Sequence, residues 1–190
     1  MANMASVAYA IEGLEKVLQK IYEAIMDAYC NDNGGSYQEY KAAKKLKLHC
    51  KEGKTRLRGD FQGEPRLENG VLRFSAEEAW GLQDFAELLE KHFSDIKVYW
   101  VVEEPGMEIY CTNDREGKYF PERYWVDTCI DAIYNSEYFR TEGDAYNWLD
   151  KLTYGRVKCK KDVEEFNADY EKACEDDENF IYVHEFDIEN

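Results

Sequence analysis

Apolar and polar positions alternate along parts of this chain and recur at helical spacing along others. In 6–12 Val7, Tyr9 and Ile11 alternate with smaller neighbours, which predicts a strand. Leu14, Val17, Leu18, Ile21, Ile25 and Met26 then recur on one helical face and predict an amphipathic helix over 14–30. The NDNGGS stretch (31–36) stops it. Ser36 with Glu39 has capping-box spacing and predicts a short basic helix. Residues 54–62 and 66–74 read as a strand pair, with Asn69-Gly70 as a turn that can itself divide two strands. Ser75 with Glu78 repeats the capping-box spacing ahead of a helix from about Leu82 to His92.

Ile96, Val98, Trp100 and Val102 alternate in the next strand, Pro105-Gly106 turns the chain, and Met107, Ile109 and Cys111 alternate back. With the turn at 113–117, residues 96–126 read as an antiparallel meander. Thr141 with Asp144 and Asp162 with Glu165 start two more helices, and NFIYVHEFDI closes the chain as a strand. The expected fold is α+β: a ferredoxin-like β-α-β-β-α-β core, an antiparallel sheet with helices packed on one face, with inserted hairpins and extra C-terminal helices. One domain over 1–190 is expected, with a basic insertion at about 31–58, and Trp80 and Trp100 are both expected to be buried.

Residues 74–107, FSAEEAWGLQDFAELLEKHFSDIKVYWVVEEPGM, resemble the YubB-type ferredoxin-like domain, a family of bacterial mobile elements and phages. The likeness lies in the strand before Ala79-Trp80, the following helix, the Phe93-Ser94-Asp95-Ile96 phrase and Glu103-Glu104-Pro105-Gly106-Met107. Gly81-Leu82-Gln83 stands where the family tends to carry Ser-Pro-Pro. The resemblance implies a fold and a mobile-element setting, and no activity.

Charge sharpens the functional reading. The net charge is −16, yet residues 41–73 hold ten Lys or Arg against four acids, and residues 74–190 hold 12 against 30. An acidic body repels nucleic acid and attracts basic partners. The expected interaction surface is Glu164, Glu165, Asp169 and the run Glu175, Asp176, Asp177, Glu178. It suits a non-enzymatic binding or inhibitor protein, in the manner of a DNA mimic, acting on a basic protein partner. The alternative is nucleic-acid binding through the basic patch Lys41, Lys44, Lys45, Lys47, Lys51, Lys54, Arg56 and Arg58, which lacks internal aromatic residues for base stacking.

An enzyme with dispersed site residues is the third reading, and no catalytic motif supports it. Glu103 and Glu104 are neighbours on a strand and point to opposite faces, so they cannot flank one bond; they are expected to keep the rim of the turn solvated. His49-Cys50 has no second ligand pair, and CNDNGG fails the calcium-loop register, so no metal or cofactor is expected. His184 on the last strand is open to either a structural or a site role.

The six cysteines form no CxxC pair, and no basic segment precedes the first apolar stretch. No apolar run reaches the length of a membrane span. The chain is therefore expected to be cytoplasmic, with free thiols, off the membrane, and a monomer or small homo-oligomer.

Overall fold

The computed structural model describes residues 3–31, 36–49, 57–80, 83–173 and 179–189, with the backbone alone at 170–173. The chain gathers into two compact units, Met1–Arg115 with Ile188–Asn190, and Glu116–Asp187. The pattern of apolar positions, read above as one domain over 1–190, does not mark the boundary between them.

In the first unit β1 (Met4–Gly13), α1 (Glu15–Cys30), α2 (Gln38–Lys45), β2 (Gly59–Glu68), β3 (Val71–Ala79), α3 (Asp84–His92), β4 (Ile96–Glu104) and β5 (Ile109–Thr112) follow in order. The sheet runs β2-β3-β1-β4-β5, and β9 (Asp187–Ile188) extends its edge. The order β2-β3-β1-β4 with antiparallel neighbours is the ferredoxin-like core, and the whole is α+β, as expected. Register puts Tyr9 between Phe74 and Trp100, and Val7 between Ala76 and Val102. Leu18, Ile21 and Ile25 of α1 and Phe85 and Leu89 of α3 complete this core. Their spacing places them on single helix faces, so burial follows from the 3.6-residue period.

Several local expectations differ. Asn69 and Gly70 both have positive φ (52° and 75°), so this pair, and no turn near 63–65, closes the β2–β3 hairpin. Ser75 and Glu78 lie inside β3 and start no helix. Their backbone groups belong to the ladder with β1, and Leu72, Phe74, Ala76 and Glu78 continue the inward alternation. Nor does Ser36 cap α2: its N-cap is Tyr37, without a side-chain bond, and Glu39 points into the core.

Trp100 is buried, but Trp80 is 45% exposed. Trp80 follows the last residue of β3 with φ 62°, which turns its ring outward beneath the Arg58 guanidinium, 5.0 Å from the ring centre. At the far end of β4, Glu104 is buried, so only Glu103 of the pair meets the expectation of an exposed rim in part.

The second unit is built on a three-stranded antiparallel sheet in the order β7-β6-β8: β6 (Tyr124–Ile130), β7 (Ile133–Phe139) and β8 (Phe180–Glu185). Strand β6 is therefore the centre of a second sheet, not the third strand of a meander with β4 and β5. Helices α4 (Glu142–Leu152) and α5 (Lys160–Ala173) cover one face through Ala145, Leu149, Val163 and Phe166 against Val126 and Ile181. Thr141 caps α4, accepting from the Asp144 N–H, as its spacing predicts.

Candidate functional site

Alternation on the β7-β6-β8 sheet sends Val126, Ile181 and Val183 toward the helices, and the intervening residues to the opposite face. Three cross-strand rows result: Tyr138–Trp125–His184, Ser136–Asp127–Tyr182 and Tyr134–Cys129–Phe180. Five of the nine positions are aromatic and a sixth is histidine. Trp125 and His184 stack with centres 5.2 Å apart and planes 22° apart. Phe180 and Tyr182 lie 5.0 Å apart, and Tyr182 and His184 6.0 Å apart. Tyr134 is 65% exposed, Tyr182 51% and Tyr138 42%.

A two-layer unit needs one face of its sheet for the core and would normally present polar side chains on the other. Here the second face carries large rings with polar tips, the side-chain type that dominates binding hot spots. Cys129 lies buried in the row of Tyr134 and Phe180. Asp127 places a carboxylate in the middle row. The surrounding charge is of the same sign, since residues 116–187 hold 19 acids against nine Lys or Arg.

A second concentration of chemistry lies inside the first unit. Tyr9, Glu39 and Glu78 are each no more than 2% exposed. The Tyr9 hydroxyl donates to Glu78 Oε1. Glu39 reaches down from α2, accepts from the Gly59 backbone N–H and shares a hydrogen bond with Glu78. A β-carbon on Gly59 would stand 2.6 and 2.7 Å from the Glu39 carboxyl oxygens, so only glycine leaves room for them. Burial is the main cause that pushes Glu78 up to about 7, against the opposing pull of hydrogen bonds from Glu39 and Tyr9. Burial followed by the Glu78 charge raises Glu39 well above the usual carboxylate range, so the shared proton sits on Glu39. Glu39 Oε1, Glu78 Oε2 and Glu104 Oε2 are buried without a hydrogen-bond partner.

Of the acidic residues read from sequence as an interaction surface, Glu164, Glu165 and Asp169 lie exposed on α5, and Lys161 pairs with Glu165 at 3.1 Å. Glu175, Asp176, Asp177 and Glu178 lie outside the described residues. In the basic patch, Lys41, Lys44 and Lys45 are on α2, and Lys47 follows it with φ 58°. Lys45 is paired with Asp27 at 2.8 Å and Arg58 with the Trp80 ring. Lys51, Lys54, Arg56 and Cys50 fall outside the described residues, as does most of the glycine-rich 31–36 stretch.

Among the described residues no group of three His, Cys, Asp or Glu is placed to hold a metal ion. Cys30, Cys111, Cys129 and Cys159 carry free thiols. No helix among the described residues is long and apolar enough to cross a membrane.

Sequence reading misses both concentrations. The aromatic face requires β7, which carries no strong turn signal. The buried acids look like capping residues because Ser-x-x-Glu spacing is the same in a cap and in a strand. Comparison of the chain with family models, with curated proteins and with solved structures returns no match.

Proposed function

We propose that this chain is a non-enzymatic binding protein that engages a basic protein partner through the open aromatic face of the β7-β6-β8 sheet. The observation that carries this reading is the set of exposed rings Tyr134, Tyr138 and Tyr182 around Asp127, on a unit with a twofold excess of acids. Aromatic faces bind guanidinium and ammonium groups, and a carboxylate between them fixes the cation in place. The acid excess steers a cationic partner to the face and repels polyanions. Exposed Glu164, Glu165 and Asp169 belong to the steering field, not to the contact. A cytoplasmic inhibitor carried by a mobile element or phage, the setting implied by the YubB-type resemblance, fits this chemistry.

The second reading is nucleic-acid binding by the basic segment. Lys41, Lys44 and Lys47 favour it, while the ion pair of Lys45 and the ring contact of Arg58 lower the charge it presents.

The test titrates a labelled arginine-rich peptide and, separately, a single-stranded oligonucleotide against the protein at about 0.15 M salt, where the Debye length is about 8 Å. The peptide is expected to bind, and the double variant Tyr134→Ala, Tyr182→Ala to lose at least tenfold in affinity. Each ring stands well out of the core, so the melting temperature should hardly move. Oligonucleotide binding that is abolished by reversing Lys44 and Lys47, with no peptide binding, overturns the proposal in favour of the second reading.

A further inference from the structure

Two carboxyl groups buried together inside an apolar core are costly unless a proton or a cation separates their charges. Here the contact joins two elements with different attachments. Glu78 is fixed in β3, hydrogen-bonded between β1 and β2. Glu39 belongs to the eight-residue helix α2, too short to be stable without its packing.

Helix α2 is held by apolar contacts, with Tyr40 packed against the core and Leu46 and Leu48 just after the helix buried in it, and by a set of polar ones. The Gln38 N–H donates to Asp60 Oδ1 at 3.0 Å, and Gln38 Oε1 accepts from the Phe61 N–H at 2.8 Å. Lys45 reaches Asp27 of α1 in a half-exposed pair. Ala42 and Ala43 supply only small side chains to the core. A further anchor is Glu39, seated in the Gly59 notch against Glu78.

We propose that the Glu39–Glu78 contact is a proton-dependent latch: with its shared proton in place α2 is docked on the sheet, and loss of that proton expels Glu39 and releases the helix with its lysines. The groups facing the contact reinforce the effect. From β1 comes the Tyr9 hydroxyl, from β2 Asp60 and from α3 Asp84, and each carboxylate has the sign of the charge that would form. Lys45 of α2 points to Asp27 and not to the pair.

The sign follows from where protons bind. A released Glu39 and a solvated Glu78 titrate near the ordinary 4.5, whereas in the docked state burial pushes Glu78 up to about 7 and raises Glu39 well above the usual carboxylate range. The docked state therefore binds more protons, and docking weakens as pH rises above about 4.5. One proton of difference is a tenfold change in the opening equilibrium per pH unit. Between pH 5 and 7 both groups contribute. Release would part Lys45 from Asp27 and carry Lys41, Lys44 and Lys45 on a freed segment, so pH would set how that basic surface can conform to a partner.

Hydrogen exchange by mass spectrometry or NMR, corrected for the intrinsic pH dependence of amide exchange, tests this on the full chain. The α2 amides of Ala42, Ala43 and Leu46 should be less protected than those of Val7 and Ile11 in β1 at every pH. Their protection should fall at least tenfold per pH unit from pH 5 to 7. Glu39→Gln keeps the size and hydrogen-bonding capacity of the side chain without its charge, and should reduce that slope by removing one of its two titrating groups. If that variant does not fold, Glu78→Gln removes the other half of the pair and should do the same. The latch is overturned if α2 protection matches β1 at every pH, since the helix then opens only with the whole unit. It is equally overturned by a flat pH profile, or by a variant that keeps the wild-type slope.

Discussion

Replacing Gly59 with alanine probes the packing of the buried acids directly. The new methyl would stand 2.6 and 2.7 Å from the Glu39 oxygens, where an ordinary carbon contact lies at about 3.5 Å. The carboxyl carbon, 2.4 Å away, must retreat by about 1.1 Å. A flexible side chain at a surface would do so at little cost, but Glu39 is 1% exposed and already meets Glu78. Overpacking of this kind costs about 1–3 kcal/mol. Gly59 is not among the residues with positive φ, so alanine fits the backbone and offsets about 0.4–1 kcal/mol through the unfolded chain. The net expectation is a loss of about 1–2 kcal/mol in the urea unfolding of the variant. The clash is with one side chain, so in a Glu39→Ala background the same substitution should be neutral or stabilising, a coupling of at least about 1 kcal/mol in a double-mutant cycle. A neutral Gly59→Ala, or a cost that persists without Glu39, would refute the notch.

Two further substitutions test the frames that hold the two candidate surfaces. Trp100→Ala empties a buried ring site beside Tyr9 and should cost about 3–5 kcal/mol in urea unfolding; a loss below about 1 kcal/mol would mean that the inward face of β4 is wrongly assigned. Ala132→Gly relieves a non-glycine residue at φ 62° in the β6–β7 turn and should raise stability by about 0.5–1 kcal/mol after the entropic cost of glycine, with a fall in melting temperature counting against the turn.

The first unit was legible wherever one period ran uninterrupted and a turn signal closed it. Val7, Tyr9 and Ile11, the α1 stripe and the Ile96–Val102 alternation all led to the right elements, and their order led to the ferredoxin-like core. Legibility failed where a local signal has two physical meanings. Ser75 and Glu78 have the spacing of a helix cap, but a strand that pairs on both sides already uses the backbone N–H groups a cap would need partners for. Strand β7 escaped for a different reason. Its hairpin closes on Asp131-Ala132, both at positive φ, where Asn-Gly or Asp-Gly would have announced the turn. Its residues alternate weakly because both faces are largely solvent-exposed. Without β7 the tyrosines of 133–139 look scattered, and the aromatic face cannot be assembled.

The two concentrations of acid differ in the force that governs them, and this makes them separable in one preparation. Around Asp127 the carboxylates stand in water, where their attraction for a cationic partner weakens with the Debye length, about 10 Å at 0.1 M salt and about 3 Å at 1 M. Around Glu39 the carboxyls are removed from water, where mobile ions cannot screen them and protonation is the main route to neutrality. Salt should therefore act chiefly on the second unit's association rate and leave α2 docked, while a shift from pH 5 to 8 should act on α2. A partner whose affinity rises with pH would be reading the freed basic segment, and one that tracks salt but ignores pH would be reading the aromatic face.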